Sequence, residues 1–334
     1  MYLIGWSCAV PKENPMATQL VVGAGYLGSA LARALVERGD TVAVATRSGT
    51  AVAGATARIL DAADAEAFAA AAEGAATIFL TTGPRQYNRW PELWPPMFRA
   101  AIFAARRSGA RLVLMGNLYG YGEGSPMPMT EATPQHPTEP KGRVRTEGWE
   151  LALAAAKHGE IQVVEVRASD YFGPGAGTTS QLGSAFFGPL IAGKTARVFG
   201  SPDAPHSWCY LADIVATLLA AADYQGSWGR AWHVPAAEPL SRTELAARVN
   251  ALTGNRGSLA RLSPALLRVL GMFVPFIRAA NDSDYQFTAP FVVDAAETER
   301  LLGVAATPWE ESLPEVIASY RALEAAGLQA QDER

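Results

Sequence analysis

The chain of 334 residues is poor in the side chains that build metal centres and cross-links, with two cysteines, four histidines and four lysines. Cys8 and Cys209 cannot form a disulfide framework, and no histidine pair falls at zinc-ligand spacing, so no metal is expected. No apolar run approaches the roughly 18–20 residues that a bilayer crossing requires. Met1–Val10 is apolar but too short for a signal sequence, and it lacks a charged lead. Positive charge is not in excess: 28 basic against 32 acidic residues leave −4, which argues against a nucleic-acid partner. These absences predict a cytoplasmic globular protein with a small-molecule substrate, no nucleic acid and no membrane.

What is present is apolar and alternating. Hydrophobic residues make up 49% and charged residues 18%, enough to bury a sizeable core. Residues 1–16, broken by Pro11 and Pro15, read as an extension that precedes the fold. Gln19–Val22 and Thr41–Ala45 read as buried strands around a helical stretch with Leu27, Leu31, Ala34 and Leu35 on one face. Thr77–Leu80, Arg111–Leu114 and Val163–Val166 repeat the strand signature, with helical patterns at Ala62–Ala72, Met97–Arg107 and Val144–His158. Such alternation predicts an α/β chain with a Rossmann-type, doubly wound parallel sheet over residues 17–180. Residues 181–330, punctuated by Gly and Pro, read as a smaller substrate-binding portion with crossovers back to the sheet.

The first strand runs into Gly23-Ala24-Gly25-Tyr26-Leu27-Gly28, a GxGxxG turn that opens a helix. The first glycine permits the turn, the second lets backbone approach a pyrophosphate, and the third lets helix pack on strand. The free N–H groups at the helix start then face the phosphates. An NAD site usually closes its second strand with a carboxylate for the ribose 2′-hydroxyl; here the run is Ala45-Thr46-Arg47-Ser48. An arginine and hydroxyls suit a 2′-phosphate, so NADP is expected over NAD.

Several spaced segments resemble the extended branch of the short-chain dehydrogenase/reductase superfamily, the NAD-dependent epimerases and dehydratases. Leu60-Asp61-Ala62 is similar to the adenine-contacting loop, and Leu80-Thr81-Thr82-Gly83 to the fourth strand's meeting with the cofactor. Arg167–Gly175 is similar to the R…YGPG segment, Ser207–Ile214 to the fvyVdDv block, and Leu301-Leu302-Gly303 with Pro308 to the closing LGw.P signature. The resemblance implies that Gly23, Gly25, Tyr26, Leu27, Gly28, Arg47, Ser48, Asp61, Ala62, Thr81, Thr82 and Lys141 hold the dinucleotide. It implies that Asn117, Tyr171 and His206 face substrate.

The chain departs from the family where chemistry is done. The residues four before Lys12, Lys141, Lys157 and Lys194 are Cys8, Pro137, Leu153 and Leu190, so no YxxxK pair exists. Lys141-Gly142-Arg143-Val144-Arg145 stands in its place, with Lys for Tyr and Arg for Lys, and Leu114–Gly120 lacks the usual catalytic hydroxyl. This resembles an atypical member. Tyr119, Tyr121, Lys141 and Asp170 are the candidate proton-handling groups, burial lowering the pKa of Lys141 toward usefulness. Each also has a structural alternative: Tyr119 as a packing tyrosine, Tyr121 as an exposed loop aromatic, Lys141 as a helix-start surface residue, Asp170 as a turn cap. His206 stands near the family's phosphate-binding arginine, which weakens a nucleotide-sugar assignment, and Trp90, Trp94 and Trp208 could line a more apolar pocket.

Two functions remain open at this level. One is an NAD(P)-dependent oxidoreductase or epimerase/dehydratase-like enzyme with a relocated proton donor. The other is a catalytically inactive NADP(H)-binding sensor or regulator, which would bind tightly without turnover. The helices at Met97–Arg107 and Arg143–His158 are compatible with a homodimer.

Overall fold

In chain order the strands are β1 (Thr18–Val22), β2 (Thr41–Thr46), β3 (Thr56–Ile59), β4 (Ala75–Leu80), β5 (Arg111–Gly116), β6 (Val163–Arg167), β7 (Asp170–Phe172), β8 (Thr195–Val198), β9 (Trp208–Tyr210), β10 (Arg230–His233) and β11 (Ser258–Arg261). The helices are α1 (Tyr26–Glu37), α2 (Ala65–Ala71), α3 (Trp90–Ser108), α4 (Pro140–Lys157), α5 (Ser184–Ile191), α6 (Leu211–Asp223), α7 (Arg242–Thr253), α8 (Pro264–Phe273), α9 (Tyr285–Thr288), α10 (Ala296–Leu302) and α11 (Trp309–Ala325). The structure, a computed structural model, describes residues 18–274, 278 and 281–327; the 1–16 extension lies outside them.

Seven strands pair in parallel in the order β3-β2-β1-β4-β5-β6-β10. Strand alternation decides what each face buries. Leu20 and Val22 of β1 join Ile78, Leu112 and Val163 under α2, α3 and α4, where Phe68, Phe98, Ile102 and Ala152 complete one core. Val21, Val44, Phe79, Val113 and Val164 point the other way, against Leu27, Leu31 and Leu35 of α1 and Ile214 and Leu218 of α6. Each such aliphatic side chain contributes about 1.5–3 kcal/mol when fully buried. Helices α3 and α4 pack so closely that a Cβ on Gly148 would lie 2.1 Å from the Phe98 ring.

The chain steps outward from β1 to β3, then returns to β4 on the other side. That reversal opens a crevice at the carboxyl ends of β1 and β4, where doubly wound sheets bind ligands.

One difference from the sequence reading has a physical cause. β3 lacks an apolar signature because it is an edge strand, with Ile59 80% exposed. After Pro174, β8 pairs with β11 and β9 with β7, while β10 and α6 return to the main sheet. A third core of Phe172, Phe186, Trp208, Leu245, Trp309 and Val316 knits the later helices together.

Candidate active site

Apart from Lys141, the cofactor residues expected from sequence follow β1, β2, β3 and β4 at one edge of the sheet. Gly23 takes φ +115°, and a Cβ there would lie 2.8 Å from the Thr82 Cβ. A Cβ on Gly28 would sit 2.1 Å from the Gly23 carbonyl oxygen and 2.8 Å from Thr81 Oγ1, so the turn and α1 close only on glycine. Thr81 is held by β1, its N–H and hydroxyl donating to the Val22 carbonyl at 3.0 and 3.1 Å. Gly25 is the N-cap of α1; it offers no side-chain cap, and the first turn carries no acidic residue. Tyr26, Leu27 and Gly28 therefore begin an uncapped helix whose positive end faces the crevice, which suits a pyrophosphate. The Tyr26 hydroxyl is buried without a hydrogen-bond partner, and a Cβ on Gly173 would come within 2.6 Å of it. Arg47 and Ser48 are exposed after β2, Ser48 Oγ sharing a 2.9 Å hydrogen bond with Thr50. Asp61 is exposed after β3 and accepts from the Ala63 N–H at 3.0 Å, beside buried Ala62. These residues fit a dinucleotide.

The next loops carry the candidate chemistry. Asn117 and Tyr119 follow β5, and Asn117 Oδ1 accepts from the Tyr119 N–H at 3.3 Å. The Tyr119 ring lies 5.8 Å from Trp90, which stacks on Tyr87 at 4.9 Å. Lys141 enters at the start of α4, with Nζ 5.3 Å from the centroids of both the Tyr87 and Tyr119 rings. α4 begins there because buried Glu139 caps it, accepting from the Lys141 and Gly142 N–H groups at 2.8 and 2.9 Å. Burial pushes the Lys141 ammonium below its ordinary range, opposed by Glu139 and Asp282. Burial also pushes the Tyr119 phenol up, reinforced by Tyr87, Asp170 and Glu139. Sequence reasoning missed Tyr87 and Asp282, which nothing local marks as neighbours of Lys141, and also Glu139, whose place two residues before Lys141 at the helix start was a signal.

Tyr121 is corrected. It is fully buried, not an exposed loop aromatic: its hydroxyl is 2.5 Å from His233 Nε2, accepts from Arg167 at 2.9 Å and lies 3.3 Å from the Thr130 carbonyl. With its hydroxyl so engaged it is a packing residue. Lys141 is likewise buried, not a surface residue. Arg145, at the position of the family lysine, donates to the Met115 carbonyl at 2.6 Å, lies 3.5 Å from Glu165 and sits 4.3 Å over the Trp94 ring. Its guanidinium faces the sheet. Trp208 is core and donates to the Leu240 carbonyl at 2.9 Å.

At the start of β7, Asp170 Oδ2 lies 3.0 Å from His206 Nε2. His206 is buried between Trp208, Phe287 and Phe291, and Nδ1 faces the Gln286 carbonyl at 3.1 Å. Tyr171 is half-buried beside them. Among the described residues no helix is long and apolar enough to cross a membrane, and no cluster of metal-ligating side chains occurs.

Solved structures share this architecture. A dTDP-glucose 4,6-dehydratase from Streptomyces venezuelae, solved with NAD, superposes with a TM-score of 0.74 at 18% identity over 92% of this chain and 98% of its own. An epimerase from Methanothermobacter thermautotrophicus gives 0.78 at 18% identity over 93% and 94%. A UDP-glucose 4-epimerase from Thermotoga maritima, solved with UDP-glucose, gives 0.75 at 17% identity over 92% and 99%. No curated protein matches the chain. The family model of the NAD-dependent epimerases and dehydratases matches residues 19–234, more than half of the sequence. By that match, and with the glycine turn built as the family requires, the chain belongs to the NAD-dependent epimerase/dehydratase family.

Proposed function

We propose that the protein is an NAD(P)-dependent oxidoreductase or epimerase-like enzyme that prefers NADP and acts on a small molecule other than a nucleotide sugar. The bound nicotinamide would supply or accept the hydride. The chain's own task is the proton at the reacting oxygen, which we assign to Tyr119 with Lys141 as its charge partner. The observation that carries this reading is the placement of Lys141 Nζ 5.3 Å from the Tyr119 ring, on the loops that follow β5 and open α4. An ammonium beside the phenol favours tyrosinate, and a phenol in a buried site holds its proton until that charge is needed. Arg47 and Ser48, exposed with no carboxylate beside them in the run after β2, support NADP. Asn117, Tyr171, Asp170 and His206 are the groups we assign to substrate.

The test is turnover, followed by NADPH absorbance across a panel of carbonyl and hydroxyl compounds. Tyr119→Phe and Lys141→Met are each expected to lower turnover by roughly 10²–10⁴-fold, with NADPH affinity changed only a few-fold. Tight NADPH binding without turnover of any compound would instead favour the inactive sensor.

A further inference from the structure

The hydrogen-bond roles at Asp170 and His206 constrain each other. The Gln286 carbonyl can only accept, so His206 Nδ1, 3.1 Å away, carries a hydrogen. Nε2 then faces Asp170 Oδ2 at 3.0 Å and the Ser169 hydroxyl at 3.3 Å. A neutral imidazole would bring a lone pair against a carboxylate oxygen, so one proton lies between the two groups. Whether it sits on nitrogen or oxygen, the pair as a whole is uncharged. Three aromatic rings fix the imidazole, whose side chain is 3% exposed, while that of Asp170 remains 27% exposed. Asp170 is therefore the member that meets solvent, with one oxygen committed and the other left to accept. It also lies close enough to Tyr119 to push that phenol up.

A phosphate or diphosphate would need a cation here. Arg242, which feels Asp170, is buried and spends its guanidinium on the Phe199 and Ser201 carbonyls and Gln181. Lys141 is occupied among Glu139, Asp282 and the two tyrosine rings. An ammonium ligand would in turn find no net negative charge on the pair. We propose that Asp170 and His206 act as one net-neutral, proton-sharing receptor for a hydroxyl of an uncharged hydroxy-carbonyl substrate, next to the Tyr119 hydroxyl that serves the reacting oxygen. This rests on the reading of the crevice as an active site.

Two measurements on NADPH-loaded protein test it. Proton and nitrogen NMR of the histidine rings, only four in the chain, should show a far-downfield hydrogen-bonded proton at His206 that disappears in Asp170→Asn. Its absence from the wild type overturns the shared proton. Saturation-transfer NMR then uses erythrulose as the uncharged hydroxyketone and UDP-glucose as the diphosphate. Transfer to erythrulose that falls at least fivefold in Asp170→Ala, with none to UDP-glucose, is the expected result. Transfer to UDP-glucose, or erythrulose transfer that is absent or indifferent to Asp170→Ala, overturns the assignment. NADPH binding, followed separately by tryptophan fluorescence in wild type and both variants, separates the two readings. Its absence from the wild type removes the active site itself, whereas its presence without erythrulose contact removes this receptor alone.

Discussion

Arg47 extends from the end of β2 with its side chain in solvent, where a guanidinium can close bidentately on a phosphate. Its worth lies in the difference between a 2′-phosphate and a 2′-hydroxyl. Arg47→Asp is therefore expected to cut NADPH affinity tenfold or more while leaving NADH within a few-fold, as read by fluorescence titration. Equal affinities of the wild type for both would remove the assignment. Side-chain identity at such an exposed position was legible because nothing else competes for it. Tyr119 and Tyr121 were not separable in the same way. They lie two residues apart on one loop, and their fates depend on Lys141, Arg167 and His233, which arrive from α4, β6 and β10.

β6 carries a buried ionic ladder that its sequence half announces. Period-two alternation puts Glu165 and Arg167 on one face of an otherwise apolar strand, a signal that they need partners. The structure supplies them: Glu165 Oε2 lies 2.7 Å from Arg167 Nε, and Arg167 reaches Tyr121 and through it His233 of β10. Gly116 makes the room, since a Cβ there would meet Glu165 Oε1 at 2.8 Å. His233 Nδ1 faces the Asp294 carbonyl at 3.0 Å and so carries the hydrogen, which leaves Nε2 to accept from Tyr121. Burial, aided by Arg167 and opposed by Glu131 and Asp294, holds the His233 imidazolium below the ordinary histidine range. The unfolded chain then binds the extra proton first. Stability is fully present above a pH of about 6.5 and declines as pH falls toward the depressed native value. Thermal melts from pH 8 to 5.5 should show this decline, and His233→Gln, less stable at pH 8, should show a shallower one. A variant with the wild-type slope would place the pH dependence elsewhere.

At the scale of the molecule, the doubly wound sheet was legible because its central strands are buried on both faces and read as short apolar runs around a glycine turn. The later pairings were not, since β7 and β9 are three residues each and depend on a core shared with α7 and α11. The same limit applied to the site: loops at the strand ends could be named from sequence, whereas Asp282 and Tyr87 meet Lys141 only after the chain has folded. The arrangement places the uncapped start of α1 at the sheet's reversal, where a dinucleotide is expected to bind. The most direct test is an NADPH titration of the wild type and of Gly25→Val, with circular dichroism to confirm that both are folded. Saturable binding by the wild type and none by the folded variant is expected, because a branched side chain at the helix cap would occupy the pyrophosphate's place. Undiminished binding by Gly25→Val, or no binding by the wild type, would contradict it.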